Sequence, residues 1–262
     1  MIIMYFFFFL FLYFPSILLC LLCLLKDRYK IEDIPPEAQS FSLLYAVVFV
    51  TIYQSYEILY TAWYQKPIFG YGFSYAREEL CVFIFVFMIL ILILFISKKT
   101  KLPLKLILNI QKCHVYNMLK MGSIFIGIVV LISLLPGDET THGLKDNDLT
   151  LLESLPLPIL FITVITTIGL SPIVEEIVCR GLLYSPLYRK IGRPAAIILT
   201  SCIFFYMHSS ALFNCGVSYN IGIFIKGLFL TWIYDKKKTL VHPIGFHMLF
   251  NVLALYSDFF ES

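Results

Sequence analysis

The chain has 262 residues, of which 60% are apolar and only 14% are charged, and its formal net charge is +3. An average soluble domain is roughly 45–50% apolar and about 25% charged, so the composition excludes an ordinary soluble domain. The small net charge gives no reason to expect a nucleic-acid partner. We therefore expect an all-α protein, a single polytopic membrane helix bundle with about eight transmembrane helices over residues 1–262.

Eight apolar stretches reach or approach the roughly 20 residues that a helix needs to cross the hydrocarbon core. In chain order they cover residues 2–25, 42–64, 80–97, 123–136, 156–174, 195–212, 219–234 and 243–257. The first stretch has no basic segment before it and is long for a signal peptide, so we expect it to be retained. Residues 98–120 mix leucine and isoleucine with lysines, which favours an amphipathic helix on the membrane surface.

The basic residues alternate between loops. Four loops hold 15 of the 20 lysines and arginines, and they cover residues 26–30, 98–120, 189–193 and 236–238. Because basic loops stay in the cytoplasm, this alternation places both termini outside and supports eight spans. We expect the bacterial cell membrane, or the endoplasmic reticulum if the source is eukaryotic. The oligomeric state is not indicated.

Two adjacent carboxylates, Glu175 and Glu176, follow Pro172 at the end of the fifth stretch. On a helix, Glu176 and Arg180 are i,i+4 neighbours and can form an ion pair. Glu175 is turned about 100° away and has no cation at i+3 or i+4, so it is free to act as a base. A helix end with surface carboxylates would explain the same residues.

Other polar residues lie inside later apolar stretches. His208 lies in the sixth, and His247 and Asn251 share one face of the eighth. A charged group at membrane depth costs roughly 2.5–3.5 kcal/mol, so ionisable residues there are candidates for function. Hydrogen bonding between helices would also explain each one alone. We expect Lys226 to extend its amine to the membrane surface or to pair with an acidic residue. Glu57 could line a cavity, but we favour a structural hydrogen bond for it.

The spacing from the basic loops relates the three polar groups. Each group lies 13–15 residues from a basic residue: Glu175 from Arg189, His208 from Arg193, and Asn251 from Lys238. At about 1.5 Å per residue, each is on the order of 20 Å from the same membrane edge. We therefore expect the three groups to meet at one depth.

Three motifs, in this order along the chain, resemble those of the CPBP family of intramembrane endopeptidases. They are Glu175-Glu176-x-x-x-Arg180, Phe204-x-x-x-His208 and His247-x-x-x-Asn251. The family includes CAAX prenyl proteases of the Rce type and bacterial abortive-infection and bacteriocin-immunity relatives. The resemblance implies a catalytic core over residues 156–257. Residues 1–155 match only as variable hydrophobic spans and do not indicate a substrate.

The resemblance also implies roles for the motif residues. Glu175 and His208 would hold and deprotonate a water that attacks a peptide carbonyl. His247 and Asn251 would donate hydrogen bonds to the oxyanion that forms. Three residues would support these four: Glu176, Arg180 and Phe204.

The same resemblance indicates the class of substrate. An active site at membrane depth, facing the cytoplasmic side, suits a membrane-embedded or lipidated peptide that is presented by the lipid bilayer. Examples are a prenylated CAAX C-terminus and a leader or signalling peptide.

Two questions stay open in the sequence. Glu175, His208 and His247 could be the three protein ligands of a Zn²⁺ ion, as in a metalloprotease. There is no His-Glu-x-x-His motif, and Asn251 is a poor zinc ligand, so we favour a mechanism with no cofactor. The alternative to an enzyme is a non-catalytic membrane immunity or scaffold protein of the same fold. A proton-relaying transporter would show inverted repeats, and we see none in the sequence.

Overall fold

Every regular element that the structure describes is a helix. The computed structural model describes residues 14–29, 43–64, 80–93, 155–208 and 217–260. The helices in these ranges are α1 (Phe14–Cys23), α2 (Leu43–Tyr64), α3 (Leu80–Ile93), α4 (Leu157–Ile191), α5 (Arg193–Met207), α6 (Val217–Lys237) and α7 (Val241–Phe260). The predicted all-α class is therefore confirmed for this part of the chain.

Helix α4 is continuous over 35 residues, so the helix of the predicted fifth span continues well beyond residue 174. Two π-helical stretches, Thr166–Leu170 and Ile177–Tyr184, interrupt its α-helical geometry. Each lies just before a proline, Pro172 or Pro186, which lacks an N–H and meets the carbonyl four residues earlier. The wider π turns change which carbonyl faces the proline ring, so the helix continues through both positions.

By length and composition, α4 is the one helix in the described ranges that could cross a membrane. The apolar helices α1, α2, α3, α5 and α7 have 10–17 residues over the parts whose side chains the structure describes. The count of eight spans therefore stays a prediction. Three predicted features lie outside the described residues: the start of the first span, the segment 98–120 and the fourth span at 123–136.

Helix α4 occupies the centre of the packing. It contacts α2, α5, α6 and α7, while α5 also packs along α6 and α1 along α2. The second half of α4 supplies a run of core side chains: Ile177, Val178, Cys179, Leu182, Leu183 and Tyr184. Both glutamates of the first motif thus lie in the middle of a central helix and not at a helix end.

Two of the basic loops meet beyond the end of α1. The backbone N–H groups of Arg28 and Tyr29 donate to the carbonyl oxygen of Arg189, at 2.6 and 2.9 Å. The side chain of Asp27 also pairs with Arg189, at 3.1 Å. The loops 26–30 and 189–193 therefore lie at the same end of the bundle.

A third basic loop joins this end through Asp235, near the end of α6. Its carboxylate accepts from the Tyr184 hydroxyl at 2.6 Å and from Lys238 at 2.9 Å, and it pairs with Arg193 at 2.6 Å. Three predicted cytoplasmic loops thus share one end, as the charge alternation requires. The side of the membrane that this end faces stays a prediction.

Candidate active site

Glu175 and two histidines from other helices meet inside the bundle. The Oε2 atom of Glu175, on α4, lies 3.6 Å from Nε2 of His208 and 3.8 Å from Nε2 of His247. Both distances exceed a direct hydrogen bond. This oxygen is buried and makes no hydrogen bond to any described residue. Two predicted histidines therefore lie close to a carboxylate oxygen of Glu175 that is available to accept a hydrogen bond from a further donor.

The ring of His208 is oriented by the last turn of α5. Its Nδ1 atom lies 2.8 Å from the carbonyl oxygen of Phe204. Because a carbonyl only accepts, Nδ1 donates, and Nε2 is left facing Glu175. The Phe204 ring also packs on this imidazole, with 4.6 Å between centroids.

Glu176 connects the first motif to the third. Its Oε1 atom accepts from Nη1 of Arg180 at 2.9 Å and lies 2.8 Å from Nδ1 of His247. The side chains of Glu176 and Arg180 are fully buried. The predicted ion pair along α4 is confirmed, whereas sequence reasoning missed the contact with His247. Glu176 holds this ring with Nε2 toward Glu175.

Arg180 also ties α4 to its neighbours. Its Nη2 donates to the carbonyl oxygen of Gly227 on α6 at 3.1 Å, and its guanidinium lies 4.6 Å from the Phe204 ring centroid. A Cβ atom at Gly227 would lie 3.1 Å from Cδ1 of Phe204, so glycine permits this close approach of α5 and α6. Nothing in the local sequence of α6 indicates this role of Gly227.

Asn251 is held by residues outside the three motifs. Its Oδ1 accepts from Nζ of Lys226 at 2.8 Å, and its Nδ2 donates to the carbonyl oxygen of Thr167 at 2.8 Å. The sequence predicted a surface position or an acidic partner for Lys226, whereas its hydrogen-bond partner is the side-chain amide of a motif residue. The signal available in the sequence was a lysine inside an apolar helix. The structure does not describe the side chain of Glu57, so the prediction for this residue lies outside the described part of the chain.

The donors of the predicted zinc site lie at or beyond the widest spacing of tetrahedral zinc ligands. Ligands at about 2.0–2.2 Å from the ion are roughly 3.3–3.6 Å from each other. The carboxylate oxygen of Glu175 is 3.6 and 3.8 Å from the ring nitrogens of His208 and His247. Among the described residues, no group of three His, Cys, Asp or Glu is arranged to hold a metal ion. As placed, this donor set does not fit zinc.

One family model matches the chain. Residues 156–253 match the model described as Rce1-like, type II CAAX prenyl endopeptidase. The matched segment begins just before α4 and contains the Glu175 cluster and Asn251. No curated protein and no solved structure matches the chain.

Proposed function

Because residues 156–253 match the model of the Rce1-like family of type II CAAX prenyl endopeptidases, we propose that the chain is an integral membrane protein that hydrolyses a peptide bond in a membrane-presented substrate. The observation that carries the proposal is the approach of Glu175 to His208 in the interior of the bundle. The family description favours a prenylated CAAX-type C-terminus over a leader or signalling peptide.

Glu175 and His208 are proposed to activate the attacking water. Two hydrogen-bond acceptors 3.6 Å apart cannot bond to each other, but one water can donate a hydrogen to each. The Glu175 carboxylate then takes a proton as the water oxygen attacks the carbonyl carbon. No metal is required for this step.

His247 and Asn251 are proposed to stabilise the oxyanion. Nε2 of His247 donates to the oxyanion when that nitrogen carries a proton, and the 2.8 Å contact of Nδ1 with Oε1 of Glu176 holds the ring in the required orientation. Asn251 donates one amide hydrogen to the carbonyl oxygen of Thr167, and its second amide hydrogen is available to the oxyanion.

Collapse of the tetrahedral intermediate completes the reaction. Glu175, now a carboxylic acid, gives its proton to the leaving nitrogen while the C–N bond breaks. One water is consumed, and the products are a new carboxylate and a free amine. Glu175 returns to its ionised form.

Cleavage by the purified protein in liposomes tests this proposal. The substrate is a farnesylated peptide ending in a CAAX sequence, with a fluorophore and a quencher on opposite sides of the scissile bond. The wild type is expected to cleave it, and Glu175→Gln and His208→Ala are expected to lower kcat by about 10²–10⁴. Cleavage should continue after metal removal and in the presence of a chelator.

His242→Ala is the matched control, because it removes a histidine five residues before His247 on the same helix and outside the cluster. Its activity should resemble that of the wild type. If folded Glu175→Gln and His208→Ala proteins keep full activity, the enzyme proposal fails, and the alternative of a non-catalytic immunity or scaffold protein gains support.

A further inference from the structure

A cavity of about 220 Å³ lies between α2, α3 and α4 and extends to Glu175. Each helix contributes residues three or four positions apart, such as Tyr53 and Tyr56 on α2 and Val82 and Phe85 on α3. This spacing presents one face of each helix to a common space. The cavity is therefore built by three helix faces.

The lining of the cavity is mostly apolar, with polar atoms from Glu175, Ser171 and two tyrosines. Among the described residues that form its wall, Glu175 is the one charged side chain. Aromatic rings form part of the wall, and Tyr56 stacks on Phe85 with 4.0 Å between centroids. Tyr53 meets the same ring at 6.1 Å. Such a wall favours an apolar group, and an aromatic one gains further from ring contacts.

The volume limits what the cavity can hold. An apolar cavity of about 150 Å³ in another protein binds benzene. A cavity of about 220 Å³ therefore accommodates a single large side chain, such as that of phenylalanine or leucine.

The cavity also lies next to the proposed chemistry. Its wall includes Glu175 and Met207, and Met207 directly precedes His208 in the chain. Consecutive residues of a peptide are about 3.8 Å apart between Cα atoms. A peptide carbonyl held at Glu175 and His208 thus places a neighbouring side chain of the substrate within reach of the cavity.

We propose that this cavity is a specificity subsite for one large apolar side chain directly flanking the scissile bond. The inference rests on the proposed peptidase function. The walls from α2 and α3 lie outside residues 156–253, the segment that matches the family model, so they can set side-chain preference separately from the catalytic residues.

Peptides that differ only at the flanking residue test the proposal. With alanine, leucine and phenylalanine there, wild-type kcat/KM should favour the two large side chains by about 10–200-fold. Val82→Phe narrows the cavity and should reduce this ratio at least tenfold. Phe85→Ala widens it and offers a second variant if Val82→Phe does not fold. Ile84→Phe is the control, because Ile84 is exposed on the same helix.

The ratio of kcat/KM values decides the outcome. An equal preference for all three peptides in the wild type, or a preference that neither cavity variant changes, would overturn the subsite. If Val82→Phe instead changes only the ratio of kcat/KM between farnesylated and unlipidated peptides, the cavity holds the lipid, and the side-chain assignment is wrong.

A binding measurement separates this inference from the proposed function. Analogues with a reduced, uncleavable scissile bond can be titrated into the wild type even if no peptide is cleaved. Tighter binding of the phenylalanine analogue than of the alanine analogue, lost in Val82→Phe, supports the subsite. Equal binding of the two analogues overturns it.

Discussion

Nδ1 of His247 lies 2.8 Å from Oε1 of Glu176, a buried carboxylate that also accepts from Arg180. The contact joins α7 to α4 at the centre of the proposed active site. Glu176 thereby orients His247. It is a positioning residue, since its other neighbour is a guanidinium and not the attacking water.

Glu176→Gln should therefore lower kcat and leave KM nearly unchanged. Partners that orient a metal-bound histidine from behind are worth roughly 10–100-fold, and we expect a loss of this order because glutamine holds the ring less firmly than the carboxylate. Steady-state kinetics on the farnesylated peptide measures kcat and KM separately. Asp27→Asn, at the basic end of the bundle, is the control. Wild-type kcat in a folded Glu176→Gln protein would contradict this role.

Lys226→Met should reduce kcat because the amide of Asn251 loses the cation that fixes its oxygen. We expect a loss of about tenfold, the effect of roughly one hydrogen bond to a charged group. Lys226→Arg keeps a cation and should retain more activity than Lys226→Met. Lys236→Met removes an exposed lysine from the same helix and should change neither kcat nor KM. Equal kcat values for Lys226→Met, Lys226→Arg and the wild type would show that Lys226 does not orient Asn251.

The sequence predicted the site best where local geometry decides it. The i,i+4 spacing of Glu176 and Arg180 predicted their ion pair. The number of residues that separate Glu175 and His208 from the nearest basic loops predicted a common depth for the two side chains. Both depend only on helix periodicity and rise, which hold along any regular helix.

Contacts between helices far apart in the chain were not predictable in this way. The hydrogen bonds of Asn251 to Lys226 and Thr167 depend on how α7 packs against α6 and α4. The π-helical stretches in α4 likewise follow from the packing around its prolines. Helix periodicity carries no information on which faces of distant helices meet, so these features needed the structure.

Gly227→Ala should destabilise the protein by about 1–3 kcal/mol, the usual cost of overpacking. The added Cβ would lie 3.1 Å from Cδ1 of Phe204 and 3.3 Å from the carbonyl oxygen of Ser201. Gly222→Ala on the same helix is the control, because no described atom lies within 4 Å of its new Cβ. Thermal unfolding in detergent compares the two. A Gly227→Ala protein as stable as Gly222→Ala would mean that α5 and α6 are not this close.

Asp235→Asn should destabilise the basic end of the bundle by about 1–3 kcal/mol, since a buried acceptor of Tyr184 loses its charge. It also removes the ion pair with Arg193. Lys238→Met removes only a partly exposed partner and should cost about 0–1 kcal/mol. Thermal unfolding measures both variants. A larger loss of stability from Lys238→Met than from Asp235→Asn would show that the contacts of Asp235 with Tyr184 and Arg193 do not stabilise this end of the bundle.

The most direct test of the central claim is a double-mutant cycle of Glu175→Gln and His208→Ala, measured as kcat on the farnesylated peptide. If both residues act on one water, each single variant loses about 10²–10⁴ in kcat. The double variant should then lose little more than the more damaging single variant, since residues acting as a unit are not additive. Losses that multiply in the double variant, or single variants with wild-type kcat, would contradict the account.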